Sequence, residues 1–184
     1  MWHLREAVIR TFKGCWCTTE SSKAISNCLT PPSEEYVASA TWLVAFIGDL
    51  FALNLIRVQH IKMCLNILIH ELNSLEHITA ISVLIDHAGP NLWRYPGSVA
   101  PLVQEMTEEP SSEMIHLFLR AFLPKALGVE VGGNTDRVRS LWSQNTGTGT
   151  GTGMGENLKD HTRRDEAVQE VMEILAQWCP DLRA

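Results

Sequence analysis

Residues 36–69 read YVASATWLVAFIGDLFALNLIRVQHIKMCLNILI. As far as Ile56 the stretch carries one charge, Asp49, and small residues Ala38, Thr41, Ala45, Gly48 and Ala52 recur at steps of three and four. On a helix that spacing places them in one stripe. A stripe without bulk lets a neighbouring helix come close, while Leu43, Phe46, Ile47 and Leu50 are expected to pack on another side. From Arg57 the pattern turns amphipathic: Val58, Ile61, Leu65, Leu68 and Leu72 share one face, with Gln59, Lys62, Asn66 and His70 opposite. A helix buried on most sides followed by one buried on a single side is how stacked helix pairs look in sequence.

The run 37–56 is also long enough to cross a bilayer, for which about 20 apolar residues suffice. Asp49 deep inside it would cost roughly 2.5–3.5 kcal/mol on insertion. Ser39, Thr41, Gly48 and Asn54 dilute the run, and no cluster of Lys or Arg flanks it. A buried helix of a water-soluble fold is therefore expected, with no membrane association.

At 184 residues the default is one compact domain with tails. A chain of that size buries enough surface to need no disulfide or metal staple. The 45% apolar and 20% charged content is ordinary for a globular protein. A net charge of −6 argues against affinity drawn chiefly from phosphates. Cys15, Cys17, Cys28, Cys64 and Cys179 are odd in number and irregular in spacing, which suggests reduced thiols and a cytoplasmic or nuclear address. The first twelve residues carry Arg5, Glu6 and Arg10 and lack the apolar core of a signal peptide. No Asn-x-Ser/Thr acceptor occurs in the chain.

Four regions are expected. Residues 1–33 hold a short helix from Trp2 to Lys13, stopped at Gly14, and a second from Glu20 to Leu29. Residues 34–128 are the helical body, opened by Ser33 with Glu34 and Glu35 behind it. Within it Asn73 with Glu76 can cap a helix whose stripe is Leu75, Ile78, Ile81, Ser82 and Ile85. Ser98 opens another helix, and Ser111 opens the last, where Met114, Leu117, Phe118, Ala121 and Phe122 face inward until Pro124. Residues 129–160 are irregular and include the Gly-Thr repeat 145–155, a flexible spacer. Residues 161–184 hold an amphipathic helix with Ala167, Val168, Val171, Ile174, Leu175 and Trp178 in line, expected to fold back on the body. No alternation of period two stands out, so the fold class is all-α.

Chemical motifs fail on spacing. The glycines of the repeat alternate and cannot make G-x-G-x-x-G, and Leu158 precedes Lys159 where a Walker loop needs glycine. His70-Glu71 begins an H-E-x-x-H, but Ser74 stands at the second histidine. Cys15, Cys17 and Cys28 with His3 lack a second ligand pair. No G-x-S-x-G elbow occurs. The histidines lie on helix faces among polar neighbours, where solvated or locally bonded rings are expected. Catalysis, a cofactor and a bound metal are not expected.

FIGDLFALNLI at 46–56, CLNILIHEL at 64–72, NSLEHITAISVLI at 73–85 and the G-x-x-L of Gly89 and Leu92 resemble the middle domain of eukaryotic translation initiation factor 4G. Phe46, Ile47, Gly48, Asp49, Leu50, Phe51 and Leu53 match in place, as do Ser74, Leu75 and Glu76. The resemblance covers about the last half of that domain, from Glu34 to Lys125. It implies a partial α-solenoid of HEAT-like antiparallel helix pairs. It also implies a non-catalytic scaffold that docks a DEAD-box RNA helicase or RNA in translation initiation or mRNA metabolism. Charge does not signal the RNA. Glu113-Met114-Ile115-His116 stands where the family carries a basic, aromatic helix start.

Partner-binding candidates are the basic spot of Arg57 and Lys62, the acidic run of Glu105, Glu108, Glu109 and Glu113, which suits a basic protein, and Arg120. The alternative expectation is a shortened, diverged helical-repeat protein that binds another partner, or an incomplete gene product.

Overall fold

The computed structural model describes residues 2–27, 32–94, 110–129 and 154–183, with side chains for all of these except 2, 154–161 and 183. Among them are six α-helices and no strand: α1 Trp2–Trp16, α2 Glu34–Ala52, α3 Val58–His70, α4 Leu75–Ala88, α5 Ser112–Leu127 and α6 Met154–Trp178. Single 3-10 turns occur at Ile25–Asn27, Pro90–Trp93 and Pro180–Arg183. The all-α class is observed. The expected helix at Ser98, the acids at 105, 108 and 109 and most of the Gly-Thr repeat lie outside the described residues.

Helix α2 begins as expected: the Ser33 side chain accepts from the Tyr36 N–H, with Glu34 and Glu35 in the first turn. It stops at Ala52 because Asn54 takes a left-handed backbone, φ 58°, a region asparagine tolerates. The N–H groups of Leu55 and Ile56 then both turn back to the carbonyl of Leu50. Gly48 provides the close approach. A Cβ placed there would lie 2.5 Å from the Cβ of His87 and 3.1 Å from the backbone nitrogen of Ala88. Beside it, Asp49 Oδ1 and His87 Nδ1 bond at 2.8 Å.

The small stripe is shorter than expected, since Ala38 and Ala52 are exposed while Ala45 and Gly48 are buried. Phe46, expected in the core, is 42% exposed, and Trp42 is 75% exposed. Helix α2 is therefore covered on one side only. By length and composition it could cross a membrane. Its Val44, Ile47, Leu50 and Phe51 nevertheless belong to the same core as the other helices, as those of a core helix would.

The helix covered on most sides is α4. His77, Ile78, Ala80, Ile81, Ser82, Leu84, Ile85 and Ala88 are all buried. It packs against α2, α3, α6 and the 90–93 turn. Its N-cap is Ser74 and not Asn73; the Ser74 hydroxyl bonds His77 Nδ1 at 2.9 Å instead of a backbone N–H. Helix α3 presents Ile61, Cys64, Leu65 and Leu68 inward, as its pattern required.

Three ends differ from expectation. Helix α1 passes through Gly14 to Trp16, because Phe12 and Trp16, one turn apart, are both fully buried. The second N-terminal helix reduces to the turn at Ile25–Asn27. Pro124 lies inside α5; near the C-terminus it removes one helical donor, and the chain continues to bury Ala126 and Val129.

Helix α5 is also rotated from its expected setting. Its buried residues are Ile115, Phe118, Leu119, Phe122 and Ala126. Leu117 and Ala121 are exposed and Met114 is partly so. Helix α6 starts at Met154, inside the segment expected to be irregular. It folds back on the body as expected, packing on α4 and α5 through Val168, Val171, Ile174 and Leu175.

Candidate functional site

The rotation of α5 opens a groove. Its apolar residues are too many for one face: Phe118 and Phe122 are buried, Met114 packs partly against the core, and Leu117 and Ala121 are exposed, with Met114, Leu117, Phe118 and Ala121 lining the side of the groove opposite α3. Across the gap α3 presents Lys62, Leu65, Asn66 and Ile69. Leu92 and Trp93 form the floor. The cavity measures about 230 Å³, and Leu117 on its lip is 53% exposed.

The floor is fixed from two directions. Phe118 stands edge-on to Trp93 at 5.3 Å and stacks on Phe122 at 5.3 Å. The N–H of Ser111, the N-cap of α5, donates to the Trp93 carbonyl at 2.9 Å. The Trp93 indole N–H is buried and has no hydrogen-bond partner among the described residues. At the C-terminal end of α3, Lys125 Nζ donates to the carbonyls of Ile69 and His70 at 3.0 and 3.1 Å. That cation satisfies end-of-helix carbonyls and tethers α5 to α3. The groove's walls are thus anchored at both ends, with an apolar trough between.

Of the residues expected to bind a partner, Lys62 lines the groove wall. Arg120 is exposed on α5, three residues after Leu117, and Glu113 sits in the first turn of the same helix. Arg57 is the N-cap of α3, away from the groove lining and without a side-chain cap bond. Glu105, Glu108 and Glu109 fall outside the described residues. Of these candidates Lys62 lines the cleft, while Arg120 is exposed on α5 next to the lining residue Ala121. The apolar lining was visible in the sequence only as a supposed core face.

A second constellation went unrecognised. His77, expected on a polar face, has no exposed surface. Its Nε2 bonds Ser26 Oγ at 2.8 Å and its Nδ1 bonds Ser74 Oγ at 2.9 Å, while Trp16 stands edge-on at 5.2 Å. A neutral imidazole has one donor and one acceptor nitrogen, and both are used. Burial pushes its pKa from the ordinary 6.5 down to about 4. A ring so weakly basic, sealed beneath Trp16, has neither the proton affinity nor the access that a general base needs at neutral pH. Its role is to join segments: with Thr18 Oγ1 donating to Glu71 Oε2 at 2.9 Å, it clips the stretch after α1 to the turn between α3 and α4.

A third hollow lies between α1 and α3, lined by Arg5, Arg10, Lys13 and His60 together with Glu6 and Glu20. Two of its cations are paired, Arg10 with Glu6 and Lys13 with Glu20, each at 3.5 Å. Mixed charge gives it little selectivity for an anion. Among the described residues no group of three or more His, Cys, Asp or Glu side chains is placed to hold a metal ion. No family model, curated protein or solved structure matches the chain.

Proposed function

We propose that the chain is a non-catalytic interaction scaffold of the helical-repeat kind, resembling the middle domain of translation initiation factor 4G, and that its α3–α5 groove receives a protein partner. The observation that carries this reading is the open apolar face of α5: Leu117 and Ala121 are exposed and line a cleft instead of entering the core. An apolar cleft with few polar groups is where ligands bind by default. The contacts of α2 with α4 and of α3 with α5 link alternate helices, which supports HEAT-like stacking of pairs.

By the resemblance, the partner is a DEAD-box RNA helicase and the setting is cytoplasmic translation or mRNA metabolism. Isothermal titration of the purified chain with a purified DEAD-box helicase tests it. Binding that Leu117→Glu abolishes supports the reading. Heat absent for the wild-type chain, or unchanged by Leu117→Glu, rejects it.

A second reading has its own observation. Trp42, Phe46 and Leu53 leave an apolar stripe exposed along α2 and its end, with Leu53 at 68%. A solenoid face without a polar cap suits a diverged helical-repeat protein that takes a different partner there. Light scattering decides between them: self-association that Trp42→Ser with Leu53→Ser removes favours the second, and a monomer favours the first.

A further inference from the structure

If the groove docks protein, as proposed above, its walls also state what kind of segment fits. Each wall is a helical line two turns long, i, i+3, i+4 and i+7, from Lys62 to Ile69 on α3 and from Met114 to Ala121 on α5. Two such ridges with a gap between them leave a trough for the ridge of a third helix. An extended strand would bring unpaired backbone groups along its whole length. Helical walls, whose own N–H and C=O groups are bonded internally, offer it no edge to pair with.

The rim sets the charge. Helix α3, VQHIKMCLNILIH, has no acidic residue, and Lys62 stands on the wall itself. On the other side Arg120 is exposed, one turn beyond Leu117, and Lys125 holds the carbonyls at the end of α3. Glu113, at the start of α5, is the opposing charge on that side. Among the described residues, Lys62 and Arg120 against Glu113 leave one positive charge beside the groove, although the chain as a whole carries −6, and opposite charge at a rim guides which partner enters.

We propose that the occupant is an amphipathic α-helix of a protein partner, with bulky apolar side chains seated between Leu65 and Leu117 and acidic side chains along the edges that meet Lys62 and Arg120. The acids would be stabilised by the two cations, and the apolar ridge would complete the burial that α5 leaves unfinished.

The probe is a fluorescein-labelled, hydrocarbon-stapled peptide of about 15 residues, since shorter free helices are marginal in water. It carries leucine at i, i+3 and i+7 and glutamate on both flanks; a twin peptide carries lysine for every glutamate. Anisotropy titrations with the full chain are expected to show the acidic peptide binding at least roughly tenfold tighter, about 1.4 kcal/mol. Leu117→Glu and Ala121→Glu, both at exposed positions and checked for unchanged circular dichroism, are expected to cost roughly tenfold or more. Lys62→Glu combined with Arg120→Glu should reverse the preference between the peptides. Equal binding of the twins, or indifference to these substitutions, overturns the acidic helix.

A random peptide library selected on the wild-type chain and counter-selected on Leu117→Glu separates the two levels of inference. Groove-dependent ligands that are basic or proline-rich overturn the acidic helix and leave the docking reading standing. Acidic amphipathic ligands support both, and no groove-dependent ligand at all overturns both. A dimer that Leu117→Glu dissolves would assign the groove to a second copy of the chain and likewise overturn the proposal.

Discussion

At position 48 there is room for a hydrogen atom and nothing larger. Two opposing terms act on Gly48→Ala. Helix propensity favours alanine by about 1 kcal/mol, while overpacking costs about 1–3 kcal/mol. The obstacle here is the Cβ and backbone of His87 and Ala88, which cannot rotate away. The clash should win, with a net loss of roughly 1–2 kcal/mol in urea unfolding. Gly14 is the matched control, because a Cβ there meets nothing within 4 Å. Gly14→Ala should raise stability by up to about 1 kcal/mol. Equal effects at the two sites would remove the close approach from the account.

His77 makes the same residue-scale point through pH. Its folded pKa, about 4, lies below the ordinary 6.5, so the unfolded chain binds the proton more readily. The stability this neutral ring confers is fully present above pH 6.5. It falls as the pH drops toward 4 and is gone below that. The two values correspond to at most about 3 kcal/mol. Urea midpoints taken between pH 7 and pH 4 should fall less steeply in His77→Gln than in the wild-type chain, and parallel curves would contradict the buried neutral ring.

Among the elements, α5 shows what a hydrophobic pattern can and cannot resolve. Met114, Leu117 and Ala121 form one helical line with Phe118 and Phe122; Ile115, Leu119 and Ala126 form another with the same two aromatics. Periodicity alone gives both lines equal standing, and the choice is made by contacts with α6 and the 90–93 turn, far away in sequence. Phe122→Ala is accordingly expected to cost roughly 3–5 kcal/mol. Leu117→Ala should cost under about 1 kcal/mol, since half the residue already faces solvent. Comparable losses in thermal or urea melts would place Leu117 back in the core.

The same limit explains α2 and α4. Both are apolar runs, and which one is surrounded depends on where α6 returns. The features that were legible are local: the Ser33 cap, the single inward face of α3, the close packing at Gly48 and the stripe of α6. The Ser74–His77–Ser26 clip was not legible, because Ser26 lies 51 residues from His77 and no short motif links them. Of the site, Lys62 could be named from charge and Arg120 only through the resemblance, whereas the cleft that Lys62 lines depends on the tertiary rotation of α5.

For the whole molecule the question is whether α6, reached after the Gly-Thr repeat, unfolds with the body or ahead of it. Val171 and Leu175 of α6 and Ile78, Ile81 and Ile85 of α4 belong to one contiguous core. Because α4 packs on α6 as well as on α2 and α3, its burial is shared among all of them, so one cooperative unit is expected. Two buried thiols report on this from distant places. Cys64 in α3 and Cys179 just after α6 have no exposed surface, and burial, opposed by the charge of Lys13, pushes the Cys64 thiol up to about 12. Buried thiols react only when the structure opens. With iodoacetamide in increasing urea, followed by mass spectrometry, Cys15 and Cys17, which are partly exposed, should be modified before the transition. Cys64 and Cys179 should become reactive together, at the same urea concentration. Leu175→Asp places a charge where the helix is fully buried and should move both to lower urea by the same amount. Modification of Cys179 well before Cys64 would make α6 a separate, detachable element, and the burial of α4 would then have to be assigned to the remaining helices.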